Sequence, residues 1–210
     1  MTATPELPGA AISGDASVHL EEILGEIAAA PQAGRATGGN TRQVEIVGPH
    51  LRLAGQLNLG AYRRITDLVN SQDGLLRITD ALVLRRSGEP TKVRVPDLWV
   101  APGEVTLIAE IEHAEVAPSP DFMIRKSPTG LIVVTPGHTV TGQVYIPEEA
   151  QLSVFIESPT PPFIPMANVR TRSLADRRVR ATYGFAVLNR RHIVAASPLP
   201  EGFVGDRGAL

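Results

Sequence analysis

Two seven-residue segments, placed far apart, constrain this chain more than any other feature. LAGQLNL (Leu53–Leu59) and VTGQVYI (Val140–Ile146) share one pattern, with Gly55-Gln56 answering Gly142-Gln143 at a spacing of 87 residues (142 minus 55). Both alternate apolar residues with other types, the period-two signature of a half-buried strand. Each carries an interior glycine, which in a strand marks a sharp bend or a close backbone approach. The chain must therefore build a bent strand twice.

Neighbouring blocks recur in the same order. Leu131–Val134 (LIVV) answers Val44–Val47, and Pro136 answers Pro49. Ile65-Thr66 and Leu68-Val69 answer Leu152-Ser153 and Phe155-Ile156. ALV at Ala81 answers ANV at Ala167, one residue out of phase, and Pro102–Ala109 answers Arg190–Ser197. The pattern reads as a tandem duplication of a unit of roughly 70 residues, near the lower size limit for independent stability.

The first copy gives the order of elements. Gln43–Val47 and Leu51–Leu59 alternate as strands, and Tyr62–Asn70 takes helical spacing through Ile65, Leu68 and Val69. Leu75–Arg85 returns to strand, and Val93, Val95, Leu98 and Val100 mark another, broken by Pro96. Pro102–Glu104 is a turn and Val105–Ile111 a last strand. The 19 Gly and 18 Pro in 210 residues suit short strands and turns, and with 4% aromatics the core must be mostly Val, Ile, Leu and Ala. Five short strands with a bent second one suit a small curved barrel. The expected fold is mainly β: two tandem small β-barrel-like domains, each with one short helix, at 42–112 and 130–200. A linker fills 113–129, and 201–210 is a tail.

Residues 1–41 read as a disordered tail that carries one amphipathic helix at about 17–29. Leu20, Ile23, Leu24 and Ile27 form one stripe, Ser17 is a candidate N-cap, and Pro31 and Gly34 end the run. So short a helix needs a surface to pack on. It either folds back on the body or docks into a partner protein through those four residues.

The stretch Val44–Val83 resembles an Sm-like small barrel. Gly55, Asp67, Asn70 and Asp80-Ala81 stand at places similar to the glycine strand, the Asp/Asn loop and the acidic-Ala strand end of that family, and Val95–Ala109 resembles its second block in hydrophobic pattern. The resemblance implies a barrel. It does not carry the family's RNA site: the positions of Asp67 and Asn70 are Val154 and Glu157 in the second copy, and no Arg-Gly pair stands near Pro102-Gly103. The chain is also similar to uncharacterised bacterial small β-domains, which imply no activity.

Chemistry-bearing patterns are sparse. With no cysteine, thiol catalysis, disulfides and cysteine metal sites are excluded. His19, His50, His113, His138 and His192 make no metal-ligand spacing, and no nucleophile elbow, Walker lysine loop or dinucleotide fingerprint occurs. Glu110 and Glu112 share a strand face beside His113, an arrangement that fits a solvated strand end better than an acid/base pair. Net charge of -2 and a pI of about 6.2 exclude a globally basic nucleic-acid binder, but not a local patch. Arg170, Arg172, Arg177, Arg178 and Arg180 flank the turn Ser173–Asp176, and Arg190 and Arg191 follow. Those arginines suit phosphates or an acidic partner, or simply protect a sheet edge. Trp99, the only tryptophan, reads as core before it reads as a partner anchor.

The expectation is a non-enzymatic protein-binding or assembly module without a cofactor or metal. Its partner is another protein, met through the N-terminal helix or exposed strand edges, with a homo-oligomer open. An Sm-like nucleic-acid binder using the arginine hairpin is the alternative. No apolar run approaches the roughly 20 residues that span a bilayer, and the expected compartment is the cytoplasm.

Overall fold

Alternating residues become strands because one face of each must leave water. In Arg52–Asn58 the side chains of Leu53 and Leu57 are buried while Gln56 and Asn58 point outward. A computed structural model describes residues 40–84, 92–111, 125–176 and 178–199. The protein is mainly β within them. Strands β1 (Thr41–Val47) and β2 (Arg52–Asn58) lead to helix α1 (Ile65–Ser71), then to β3 (Leu76–Leu84) and β4 (Lys92–Val100). A 3-10 turn at Pro102–Glu104 precedes β5 (Leu107–Glu110). The order recurs in β6 (Lys126–Val134), β7 (His138–Pro147), helix α2 (Leu152–Glu157), β8 (Phe163–Ser173) and β9 (Arg180–Asn189). A second 3-10 turn at Arg190–His192 precedes β10 (Ala195–Pro198). Strand β4 runs unbroken through Pro96, and β6 begins inside the stretch that reads as a linker.

The glycine bends have a clear cause. Between β2 and β3 the register shifts at Ala54/Gln56, and Asp80 on β3 takes the extra position at φ 51. Between β7 and β8 it shifts at Thr141/Gln143, and Asn168 takes it at φ 52. Both are β-bulges with Asp or Asn in the left-handed region, which those two residue types tolerate better than most. Gly55 and Gly142 sit beneath the bulges. A Cβ on Gly55 would lie 2.6 Å from Ile78 Cγ2 and 3.0 Å from the Thr79 carbonyl oxygen. One on Gly142 would meet the Ala167 carbonyl oxygen and Met166 Cε at 3.1 Å. Glycine is required so that the folded-over strand can approach. The bulges also correct the sequence alignment: Asp80 and Asn168 are 88 apart, so Ala81 matches Val169 rather than Ala167.

All ten strands join one antiparallel sheet in the order β10-β6-β7-β8-β9-β5-β1-β2-β3-β4. Two separate closed barrels are thus not what the chain forms. The sheet is continuous, and among the described residues its end strands β4 and β10 do not pair with each other. The two halves meet where β5 pairs with β9 through Leu107–Leu188, Ile108–Val187 and Ala109–Ala186. Packing crosses the same seam. Phe163 and Val187 enter the core built around Ile46, Leu53, Ile65 and Ile78. Val47 and Leu107 enter the one built around Leu131, Val140, Ile164 and Met166. Helix α1 contributes Ile65, Leu68 and Val69 to the first core, as its spacing predicts. The segment 17–29 with Leu20, Ile23, Leu24 and Ile27 lies outside the described residues.

Candidate assembly surface

The seam between the halves is held by polar side chains aimed at backbone. Asn70, near the end of α1, donates from Nδ2 to the Phe163 carbonyl oxygen and accepts from the Phe163 N–H, both at 2.9 Å. Asn189, at the end of β9, donates to the carbonyl oxygens of Val105 at 2.9 Å and Pro102 at 3.1 Å. His192 brackets the same turn. Its Nε2 lies 2.7 Å from the Gly103 carbonyl oxygen and its Nδ1 3.0 Å from Thr106 Oγ1. A carbonyl can only accept, so Nε2 carries the proton there and Nδ1 faces the threonine hydroxyl.

Beneath the seam lies a charged triad. The Tyr183 hydroxyl donates to Glu45 Oε2 at 2.7 Å, and Arg52 Nε donates to Glu45 Oε1 at 2.5 Å. Glu45 is buried, so both oxygens need these partners. Burial, reinforced by the Glu45 charge, pushes the Tyr183 pKa well above the ordinary tyrosine value. Burial works to lower the Arg52 pKa, but Glu45 and Tyr183 outweigh it and the net shift is upward. The triad therefore holds a protonated phenol, a carboxylate and a guanidinium. It is a bracket between β1, β2 and β9, with Glu45 and Tyr183 138 residues apart.

The two sheet ends look different from the seam. On β4, Trp99 is 57% exposed, which corrects the expectation of a core tryptophan. Val100 is buried and Leu98 packs on the core, while Trp99 between them faces solvent. Arg77 lies over the Trp99 ring, 5.8 Å from its centroid, and pairs with Asp97 at 2.6 Å. Leu75 is exposed at the same end of the strand pair, and Val93 at the other end of β4. At the other end Val194 is exposed just before β10, whose Ala195 and Ser197 are also exposed. Among the described residues β4 pairs only with β3 and β10 only with β6.

The arginine hairpin is partly assembled. Arg172 stands directly opposite Arg180, and Arg170 opposite Thr182, on the face away from buried Thr171 and Ala181. Arg178 is exposed in the turn, where its N–H donates to Asp176 Oδ1, and Arg177 lies outside the described residues. Arg190 does not belong to this patch. It is buried, stacks on Phe155 with its Cζ 4.7 Å from the ring centroid, and donates to the carbonyl oxygens of Pro161, Phe155 and Ile156. It thereby caps the C-terminal end of α2, and burial lowers its pKa. Glu110 is buried on β5, whereas Glu112 and His113 lie outside the described residues.

Of the seam residues, Asn70 stands in the sequence only as a position of the Sm-like resemblance, and Glu45, Tyr183 and Asn189 carry no sequence signal, since the contacts Asn70–Phe163, Glu45–Tyr183 and Asn189–Val105 are remote in the chain. Among the described residues no His/Asp/Glu group of metal-binding shape occurs, and no helix is long and apolar enough to cross a membrane. Comparison with protein-family models, with curated proteins and with solved structures finds no match to this chain.

Proposed function

We propose that the chain is a binding or assembly module, not an enzyme, and that it works through the free edges of its sheet. In this reading it arose as a tandem duplication of a small Sm-like β-unit. The observation that carries the proposal is β4. It ends the sheet with one side of its backbone unpaired among the described residues and presents Trp99, 57% exposed, close to exposed Leu75, with Val93 exposed at the far end of the strand. An unpaired edge is a template for another strand, and a half-exposed tryptophan is the residue type that most often anchors an interface. Pro96 limits how far a second strand can add, since it has no N–H to give.

The test places a photo-crosslinking aromatic residue at Trp99 in the full chain, with the same probe at Tyr145 as control. Tyr145 is also exposed, but it lies on β7, inside the sheet. The edge reading expects a crosslinked partner chain at position 99 and none at 145. Equal yields at both, or none at 99, contradict it.

A second reading rests on Arg172 facing Arg180. Like charges directly opposite each other are unfavourable unless water or an anion separates them, and an anionic partner would serve. Nucleic acid bound there would lose affinity steeply with salt, and Arg172→Ala with Arg180→Ala would weaken it across all sequences. No binding at low salt removes this reading.

A further inference from the structure

The seam inside the chain shows what the free ends fit. Residues 41–110 run in the order β5-β1-β2-β3-β4, and residues 126–198 in the order β10-β6-β7-β8-β9. β4 thus holds in its half the place that β9 holds in the other, and β10 the place of β5. The chain joins β5 to β9 and leaves β4 and β10 over, which are the same two kinds of edge. We infer that β4 of one chain pairs antiparallel with β10 of a second copy, head to tail. This rests on the edge reading above and names its partner.

The register follows from the seam. The 3-10 turns begin at Pro102 and Arg190, a step of 88 (190 minus 102). Shifting the β5–β9 pairs by that step sets Ala195 opposite Val100, Ala196 opposite Trp99, and Ser197 opposite Leu98. Pro198 and Pro96 both lie beyond the Ser197–Leu98 end of this short ladder, and neither has an N–H to extend it in that direction.

Side chains at matching positions agree. Phe163, Val187 and Thr106 are closed at the seam, at 2%, 0% and 2% exposure. Their counterparts at the free ends are Leu75, Trp99 and Val194, at 52%, 57% and 67%. Three positions that a neighbour covers inside the chain are thus apolar and open at its ends. The pairing of sizes also works, because the large Trp99 would face the small Ala196. The charged triad is not repeated: Ile132, Thr139 and Val95 hold the places of Glu45, Arg52 and Tyr183. The joint between copies is therefore the more apolar of the two. A head-to-tail contact uses two different patches, so it propagates into a ring or an open chain rather than stopping at a symmetric pair.

The test is light scattering on the full chain over a range of concentrations, with two single variants. The wild type should exceed the 22.4 kDa of one chain. Trp99→Asp and Ala195→Lys should each reduce it to a monomer with unchanged far-UV circular dichroism. Each variant keeps one intact edge, so mixing them should restore a dimer and nothing larger. A symmetric contact would not be restored that way and would overturn the inference, as would a wild type that stays monomeric at every concentration. If a monomeric wild type still crosslinks a different chain through position 99, the edge reading survives without the second copy. If position 99 then captures nothing, both fall. Should Trp99→Asp unfold, Ala195→Lys alone still must dissociate the assembly.

Discussion

Asn70→Ala removes a side chain that hydrogen-bonds α1 to β8. Two hydrogen bonds of 2.9 Å go with it, one to the N–H and one to the carbonyl oxygen of Phe163. Phe163 is 2% exposed, so its freed backbone groups sit in a closed environment. Leaving a buried polar group unpaired costs about 1–3 kcal/mol. Asn70 itself is half-buried, which lets water reach part of the site and puts each loss near the lower end. Alanine returns up to about 0.7 kcal/mol of helix propensity. The net expectation is a loss of about 1–2 kcal/mol. Urea unfolding followed by circular dichroism measures it as a lower midpoint. Asn70→Asp should do no better, because a carboxylate keeps the acceptor for the N–H but sets a second oxygen against the Phe163 carbonyl. A midpoint for Asn70→Ala within error of the wild type, at unchanged slope, would refute the reasoning that this clamp binds the halves.

Two further predictions concern the seam and the bends. Tyr183 has a native pKa raised above its unfolded value of about 10. Its protonated form is thus favoured by folding: the contribution is complete below that pH and is lost as pH climbs through the raised native value. Stability should fall above about pH 10, and Tyr183→Phe should flatten that fall while costing about 1–3 kcal/mol at neutral pH by taking a hydrogen bond from buried Glu45; denaturant midpoints across pH compare the two. Gly55→Ala should destabilise more than Gly142→Ala, since its new methyl meets atoms at 2.6 and 3.0 Å against 3.1 Å at the second site. About 1–3 kcal/mol is expected for the overpacked Gly55 position, and equal melting temperatures would contradict the bulge argument.

Much of the local structure was legible because it is periodic. Leu53, Leu57 and the bend at Gly55 declare β2, and Ile65, Leu68 and Val69 declare α1. The joining of the halves was not, because a strand's alternation reports its two faces and says nothing of its edges. Leu107 and Ala109 read as a buried strand whether β9 lies beside them or not. The triad was hidden for a related reason: Glu45 looks like the polar residue of an alternating strand, and its burial depends on Tyr183, far along the chain. Trp99 reads as core from the sequence and is exposed in the structure, because the end of β4 has no neighbour among the described residues to cover it. Arg190 counted as surface charge until the carbonyls of Phe155, Ile156 and Pro161 showed what it holds. Of the arginine hairpin, Arg170, Arg172 and Arg180 share one face, Arg178 stands in the turn, and Arg177 lies outside the described residues.

The account's central claim is that the sheet ends are pairing edges. Hydrogen exchange on the full chain tests this at the amides among Leu98–Val100 and Ala195–Ser197 that do not already donate to β3 or β6, with Ala186–Leu188 at the internal seam as reference. The account predicts that protection at both ends rises together as protein concentration rises, while the seam stays protected throughout. Fast exchange at both ends, independent of concentration and of any added partner, would contradict it.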